Sequence, residues 1–189
     1  MKAEILILGA LHREPMHPYE IKRRLTNAMV ECFTDVDVGT LYYAVRQLSR
    51  SGLIESTRRQ KVRRGGVRTI YRITTAGRAR FQGLLREQWL APGAVADTLY
   101  IPLLFLHLID AQSVQDLLDA KVARQQIACR ELLEVRKRFA PQLGTGGNHL
   151  LKHLHAQRRL DLRWLKELRA EITERGIRDL TKLPAAPNN

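Results

Sequence analysis

One short stretch constrains this chain more than any other: residues 38–54, VGTLYYAVRQLSRSGLI, followed at once by a strongly basic segment. Leu41, Ala44, Val45 and Leu48 recur at helical spacing and predict an apolar stripe on one face of a helix. The other faces carry polar side chains, namely Thr40, Tyr43, Arg46, Gln47 and Arg50. Asp37 is expected to cap the start of this helix, and Gly52 stands where glycine commonly ends one.

The polar side of this helix has the chemistry that a DNA major groove accepts. Arginine and glutamine can each read a base edge with two hydrogen bonds, while threonine and tyrosine reach phosphates or thymine methyl groups. A merely solvated helix face is the alternative interpretation. The sequence after Ile54 favours the DNA-binding interpretation over a solvated helix face.

A basic hairpin follows the helix. Residues 53–57 and 67–73 have the pattern of strands, and Gly65-Gly66 supplies turn chemistry between them. Between Arg58 and Arg72 there are seven basic residues and no acidic one: Arg58, Arg59, Lys61, Arg63, Arg64, Arg68 and Arg72. An edge hairpin kept soluble by its charge would not need so many like charges without counter-ions. The hairpin is therefore predicted to be the wing of a winged helix-turn-helix, with Arg63, Arg64 and Arg68 on DNA.

The flanking segments complete this predicted DNA-binding domain, residues 1–92. Residues 5–11 are apolar and predict a buried first helix. His17 and Pro18 together form a helix-start signal, with His17 as the cap. Tyr19 and Lys22 of that second helix join the candidate DNA contacts. Thr74 is expected to cap a further helix that extends to about Leu90.

The second half, residues 93–180, predicts an all-helical domain, and residues 181–189 a disordered tail. A helix capped by Asp97 and continuing to about Ile109 is apolar on every side, so protein should surround it. Ser113 and Asp116 resemble a capping box that opens a long helix to about Phe139. A break over residues 141–147 precedes a last helix from about Asn148 to Arg175.

The apolar stripes of these long helices exceed what one intramolecular contact would bury. A symmetric dimer would cover them by using the same surface on both subunits. The candidate dimerisation residues are Leu104, Phe105, Leu162 and Leu165.

The net charge of +13 indicates a polyanionic partner, either nucleic acid or an anionic membrane face. Residues 1–91 hold 17 basic and 8 acidic side chains, a balance of +9, which leaves +4 for the remainder. The N-terminal half is therefore the better candidate for touching a polyanion. No secretion leader is evident, and the most apolar run, residues 99–109, is too short to cross a bilayer. We expect a cytoplasmic protein without a membrane partner, whose Cys32 and Cys129 are buried thiols in a reducing compartment.

Other candidate sites are weaker. His149 and His153 lie four apart with His155 nearby, a spacing that can hold a metal, but solvated or capping histidines are the commoner outcome, so no metal or cofactor is predicted. Trp89, Tyr100 and Trp164 could line a pocket for an aromatic effector, although packing is the usual role of such residues. No phosphate-binding loop, nucleophile elbow or zinc-protease motif occurs, so no enzyme is expected.

The motifs together resemble one family. ILILGAL, HPYEIKRRL, GTLYYAVRQLSRSGLIES and YRITTAGR make the first 90 residues similar to the PadR (phenolic-acid decarboxylase repressor) family of bacterial transcription regulators. Pro18 stands where the family usually has glycine, which a helix start accepts. Tyr43 stands where the family often has proline; because this position faces the bases, the resemblance implies no operator sequence.

The second half resembles the larger PadR subfamily, whose C-terminal domain is like that of virulence-gene activators. The matching features are the apolar helix at residues 99–109, the long helix after Ser113, and Arg163-Trp164-Leu165. The resemblance implies a homodimer that binds a near-palindromic operator in double-stranded DNA, usually as a repressor, and that a small molecule releases in some members. An architectural or replication-associated winged-helix dimer without an effector is the alternative. A peripheral membrane or RNA-binding protein is a third, which base-facing Arg46, Gln47 and Arg50 disfavour.

Overall fold

A computed structural model describes residues 2–27, 30, 38–61 and 67–177, and for residues 38, 39, 58–61, 67 and 175 it describes the backbone alone. Its elements divide between two compact units. The first contains Met1–Gln88 with Leu99–Phe105, and the second contains Trp89–Thr98 with Leu106–Asn189. The segment Leu99–Phe105 thus belongs to the first unit, although it follows the start of the second in sequence.

The first unit is a helical core that carries one two-stranded sheet. Its elements are α1 (Lys2–Leu11), α2 (Pro18–Asn27), α3 (Val38–Arg50), β1 (Ile54–Lys61), β2 (Val67–Ile73) and α4 (Thr75–Leu90). β1 and β2 pair antiparallel from Ile54↔Ile73 to Lys61↔Val67, with an irregularity between Ser56 and Arg58. This arrangement of helices and hairpin confirms the predicted winged helix-turn-helix.

α1 lies at the centre of this unit. Its residues Ile5 to Leu8 are fully buried because they are apolar on every side of one short helix. Phe81 of α4 packs edge-on against Phe105, with ring centroids 5.5 Å apart at 85°. Phe105 also covers Gly9, where an added Cβ would lie 2.3 Å from the Phe105 ring. The core therefore includes a residue from beyond the predicted boundary at residue 92.

The second unit is built on a pair of long helices, α6 (Ala111–Phe139) and α7 (Thr145–Arg175). They run antiparallel: Asp119, near the start of α6, pairs with Arg169, near the end of α7, while Gln125, further along α6, donates to the carbonyl of Arg158, which lies earlier in α7. The side chains buried along α6 include Val114, Leu118 and Cys129, and those along α7 include Leu165 and Ile172.

Several predicted helix ends in the second half are wrong. The helix assigned to Asp97 and beyond begins at Val95, as α5 (Val95–Leu103), and ends well before Ile109. Pro102 has no N–H to donate to an earlier carbonyl, and the chain tightens there into a turn in which Phe105 N–H donates to the Pro102 carbonyl at 3.0 Å. A separate 3₁₀ turn follows over Leu106–Leu108.

The capping box at Ser113 is also wrong, because Asp110 is the cap. Its side chain accepts a hydrogen bond from Ser113 N–H at 2.9 Å. The hydrogen bond from the Ser113 side chain, and after it this backbone bond, lowers the pKa of Asp110. After α6 ends, as predicted, at Phe139, a 3₁₀ turn over Ala140–Gln142 leads to α7, which starts at Thr145 rather than Asn148. Gly176 ends α7 with a φ of +69°, a value that favours glycine.

Several expectations fall outside the described residues, namely the Asp37 cap, the burial of Cys32, the Gly65-Gly66 turn, the contacts of Arg63 and Arg64, and the tail at residues 181–189. Within the described ranges, no helix is both long and apolar enough to cross a membrane.

Candidate nucleic-acid interface

α3 presents the predicted polar face to solvent. Leu41, Val45 and Leu48 are at most 5% exposed, whereas Tyr43 is 58% exposed. Thr40, Arg46 and Arg50 are exposed as well, and Gln47 is half-exposed. Ala44, which was predicted for the apolar stripe, is only half-buried. The helix therefore anchors one face in the core and offers the other to a ligand.

The C-terminal end of α3 is fixed by a glycine stop. Gly52 has a φ of +69° and donates its N–H to the Ser49 carbonyl at 3.2 Å, while Leu53 N–H reaches the Leu48 carbonyl at 2.9 Å. These two bonds satisfy carbonyls that the end of a helix leaves open. The chain then turns directly into β1, so the hairpin follows α3 in a defined direction.

Thr74 joins that turn to α4. Its hydroxyl donates to the carbonyl oxygens of Gly52 at 2.8 Å and Leu53 at 3.0 Å, and it accepts from Gly77 N–H at 3.0 Å. Thr74 therefore caps α4, as predicted, and also ties α4 to the end of α3. At Gly77 an added Cβ would lie 2.0 Å from the Leu53 carbonyl oxygen, so only glycine permits this close approach.

The start of α2 is tied to the hairpin by backbone pairing. Met16 N–H donates to the Tyr71 carbonyl at 2.9 Å, and Tyr71 N–H donates to the Met16 carbonyl at 3.1 Å. His17 then caps α2, as the sequence predicts, because its Nδ1 accepts from Tyr19 N–H at 3.0 Å. Tyr19 is 54% exposed beside it, and Lys22 is half-exposed. The sequence gives no sign of the Met16–Tyr71 pairing, because it depends on tertiary contact.

Ion pairing separates the basic side chains of the first unit into two groups. Arg23, Arg24, Arg72 and Arg80 each pair with a glutamate, for example Arg72 Nε with Glu55 Oε1 at 2.7 Å. In the part of the chain that the structure describes, Lys22, Arg46, Arg50 and Arg68 have no such partner. Cations without a protein counter-ion are the ones able to neutralise phosphates. All four belong to the candidate DNA contacts, although Lys2, Arg78 and Arg86 also have no acidic partner among the described residues and are not candidates.

The tip of the wing lies outside the described residues, and Arg63 and Arg64 with it. Arg68, at the start of β2, is exposed. The structure thus shows the base of the predicted wing and one of its three candidate DNA contacts.

The candidate effector and dimerisation residues have different surroundings. Trp89 is fully buried, and its indole N–H has no acceptor among the described residues. Tyr100 is exposed, and Trp164 is half-buried on α7. Phe105 and Leu165 are buried within the single chain, while Leu104 and Leu162 are half-buried.

A polar cluster in the second unit was not predicted from the sequence. Lys121 of α6 is 4% exposed; its Nζ donates to the Ala91 carbonyl at 2.8 Å and to Thr98 Oγ1 at 3.1 Å. Arg158 of α7 donates to the Gly93 carbonyl at 3.2 Å, and Asp161 Oδ2 accepts from Val95 N–H at 3.3 Å. These bonds hold the connection between α4 and α5.

Burial, followed by the nearby charges of Arg124 and Arg158, lowers the pKa of Lys121 to about 8, against the opposing influence of Asp161. A lysine at a helical position cannot be recognised as buried from sequence alone, which is why the cluster was missed.

No three histidine, cysteine or acidic side chains lie close enough to hold a metal ion in the described ranges. His149 and His153 are both exposed on α7.

A winged helix with an exposed polar recognition helix and unpaired cations beside it defines a DNA-binding protein of the winged helix-turn-helix class. Residues 7–83 match the model of the Transcriptional regulator PadR-like family, so the N-terminal part of the chain is similar to that family. The family consists of transcription regulators and not of enzymes. The resemblance seen in the sequence motifs is thereby confirmed for the DNA-binding half.

Solved structures similar to this chain include PadR proteins. Bacillus subtilis PadR in complex with operator DNA is 17% identical, with a TM-score of 0.43, over 89% of this chain and 98% of that one. A PadR family regulator from Clostridium difficile R20291 is 26% identical, with a TM-score of 0.37, over 43% of this chain and 81% of that one. Bacillus subtilis PadR in complex with p-coumaric acid is 14% identical, with a TM-score of 0.39, over 92% of this chain and 99% of that one. No curated protein matches the chain.

Proposed function

We propose that this transcription regulator is a cytoplasmic repressor that binds a near-palindromic operator as a homodimer. The observation that supports this most directly is the exposed face of α3, where Tyr43, Arg46 and Arg50 stand out from a helix whose other face is buried. A helix anchored in this way can enter a major groove without unfolding its own packing. Arg46 and Gln47 are proposed to read bases, while Thr40, Tyr43 and Arg50 contact bases or backbone.

The surrounding cations are proposed to hold the duplex. They are proposed to be Lys22 of α2 and Arg68 of β2, together with Tyr19 and the sequence-predicted Arg63 and Arg64, which lie outside the described residues. Phosphate contacts position a protein on DNA but carry no sequence information, so these residues would set affinity and register. Specificity would come from α3.

A dimer is proposed because the two helices of the second unit leave large apolar side chains uncovered. Val135, Phe139, Leu150 and Leu154 are all exposed on α6 and α7. A second copy would cover them and place a second recognition helix about one helical turn of DNA away. The division of labour, with residues 1–92 on DNA and 93–180 in dimerisation and effector response, is part of the same proposal, as is membership of the larger PadR subfamily.

A small aromatic effector is proposed to release the operator. Trp89 offers a buried indole N–H without an acceptor, and Tyr100 and Trp164 are further aromatic candidates. The p-coumaric acid bound to Bacillus subtilis PadR is the first compound to test.

The test is a footprint on the DNA upstream of the protein's own gene and its neighbours. We expect protection of one inverted repeat by the full chain, with much weaker retention of random DNA of equal length. A transcription assay on the same promoter should show repression. Equal affinity for all duplexes would contradict the proposal and favour an architectural DNA-binding dimer.

A further inference from the structure

An open cleft of about 270 Å³ lies between the start of α2 and the base of the wing. The side chains around it include those of Arg68 and Ile70 on the wing side and, on the side of α2, Glu14, His17, Tyr19, Glu20 and Arg24. The paired backbones of Met16 and Tyr71 hold the two sides together, since they exchange hydrogen bonds of 2.9 and 3.1 Å. The cleft is therefore a fixed feature of the first unit.

The protonation state of His17 in the cleft follows from its role as a helix cap. Its Nδ1 accepts the Tyr19 N–H, so the proton of the neutral ring is on Nε2. Burial, and after it the positive charge of Arg68, lowers the pKa of His17 below its usual 6.5. His17 is therefore a neutral side chain at pH 7 that offers one N–H donor.

The charges around the cleft leave one cation uncompensated. Arg24 pairs with both Glu14 and Glu20, and Arg23 adds a second partner for Glu20 at 2.7 Å. Arg68, in contrast, forms no ion pair with any described residue. The backbone N–H groups of Tyr19 and Glu20 are already bonded to His17, so a ligand here must be held by side chains.

We propose that one DNA backbone phosphate occupies this cleft, with His17 Nε2–H and the Arg68 guanidinium as its donors. The inference rests on the proposed DNA-binding function and adds His17 to the residues that contact DNA. Because Met16 and Tyr71 fix the cleft, this phosphate would set the register of α2 and the wing on the duplex. His17 is then both the cap of α2 and a neutral phosphate ligand, whereas Arg68 supplies the charge.

His17→Asn separates these two roles. Asparagine is among the best N-cap residues, so α2 should remain capped and the melting temperature should stay close to wild type. The shorter amide does not reach the position of Nε2, so a hydrogen bond to a charged phosphate is lost. We expect about tenfold weaker binding, equally on operator and random duplexes. The matched control is His153→Asn, the same change at an exposed histidine of α7.

The salt dependence distinguishes the two proposed donors. Arg68→Gln should weaken binding and reduce the slope of log affinity against log salt by about 0.9, because one phosphate is no longer neutralised. His17→Asn should weaken binding and leave the slope unchanged, because the lost donor is neutral. A reduced slope in His17→Asn would overturn the assignment of a neutral donor.

A methylphosphonate scan of the mapped operator locates the contact. If His17 binds one phosphate in each half-site, the penalty of His17→Asn disappears on the duplex in which that phosphate is uncharged. His17→Ser, which also keeps a capping side chain, should give the same pattern. A penalty that persists at every substituted position, or no penalty at all while the wild type still binds the operator, overturns the inference without affecting the proposed function. Failure of the wild type to bind any duplex overturns both.

Discussion

At the scale of single residues, the arginines of the first unit differ in whether an acidic side chain lies beside them. Arg72 is neutralised by Glu55, whereas Arg46 on α3 has no acidic partner among the described residues. An exposed cation without a counter-ion keeps its charge available for a ligand. The same residue type therefore forms an ion pair on one surface and is proposed to contact DNA on another.

Arg46→Ala should cost roughly 1–3 kcal/mol of binding free energy on the operator and relax the preference at one base position. The reason is the loss of a bidentate contact to one base. Band shifts on the operator and on its single-base variants measure both effects. Arg72→Ala is the control, since its partner is Glu55 and little change in DNA affinity is expected. If operator and random DNA lose affinity equally, Arg46 contacts phosphate and its proposed role is wrong.

A second prediction at this scale concerns Lys121 and the pH dependence of stability. Its pKa in the folded chain is about 8, below the ordinary 10.5. Between these two values the unfolded chain holds a proton that the folded chain has released, so the contribution of this site to stability rises with pH. Wild type should therefore gain unfolding free energy relative to Lys121→Met as the pH increases from 8 to 10.5.

Urea denaturation at several pH values across this range measures the effect. Lys152→Met, at an exposed position of α7, is the control, and its difference from wild type should change less with pH. A difference for Lys121→Met that is independent of pH would show that the ammonium is not desolvated in the folded chain.

At the scale of elements, α3, the wing and α4 meet at one junction, where Gly52, Thr74 and Gly77 share their hydrogen bonds and close contacts. The end of α3 sets where β1 begins, and Thr74 sets where α4 begins after β2. The direction of the recognition helix relative to the wing is therefore fixed by backbone geometry and one hydroxyl. Sequence patterns revealed each element but not their meeting point.

Gly77→Ala should destabilise the chain by about 1–3 kcal/mol, because its Cβ would overlap the Leu53 carbonyl oxygen and push α4 away from the end of α3. Gly83→Ala is the matched control in the same helix, where nothing lies within 4 Å of the added Cβ. That change should stabilise the chain by about 0.5–1 kcal/mol through helix propensity. Thermal unfolding of both variants measures the effect, and equal shifts would contradict the role assigned to Gly77.

At the scale of the whole molecule, the single chain buries some of the residues first assigned to a dimer. Leu165 is fully buried, and Phe105 packs on Phe81 and Gly9 inside the first unit. The exposed apolar side chains of α6 and α7 lie elsewhere, and Leu150 is the most exposed of them, at 58%. An assembly would therefore be tested better at Leu150 and Leu154 than at Leu165, where a charge would unfold the unit on its own.

Leu150→Asp combined with Leu154→Asp should convert a dimer to monomers with unchanged helical content, because both side chains are already exposed in one chain. Operator affinity should fall by about tenfold or more, since each half-site supplies only part of the binding energy. Light scattering and band shifts measure the two effects, and Gln157→Asp, at an exposed polar position of α7, is the control. A monomeric wild type, or a double variant that remains dimeric, would contradict the dimer.

Truncation after residue 92 is a less direct test of the same idea. Such a fragment lacks Phe105, which covers Gly9 and Phe81 in the first unit. Its core would be incomplete, so a loss of DNA affinity would not distinguish a missing partner from a damaged fold.

The sequence by itself determined the recognition helix, the hairpin that follows it and the caps at His17 and Thr74. These features depend on local patterns: an apolar stripe at helical spacing, a capping side chain beside a helix start, and a run of like charges. The resemblance of the motifs to the PadR family added the class of regulator, which the family match over residues 7–83 supports.

Only the tertiary structure decided which residues close each core and which charges remain available. The return of Phe105 to the first unit, the buried Lys121 and the pairing of Met16 with Tyr71 all join residues far apart in sequence. A local sequence pattern does not predict such contacts, because burial and ion pairing depend on which surfaces meet after the chain has folded. For the same reason, the cleft at His17 and Arg68 became visible only when the wing was placed against α2.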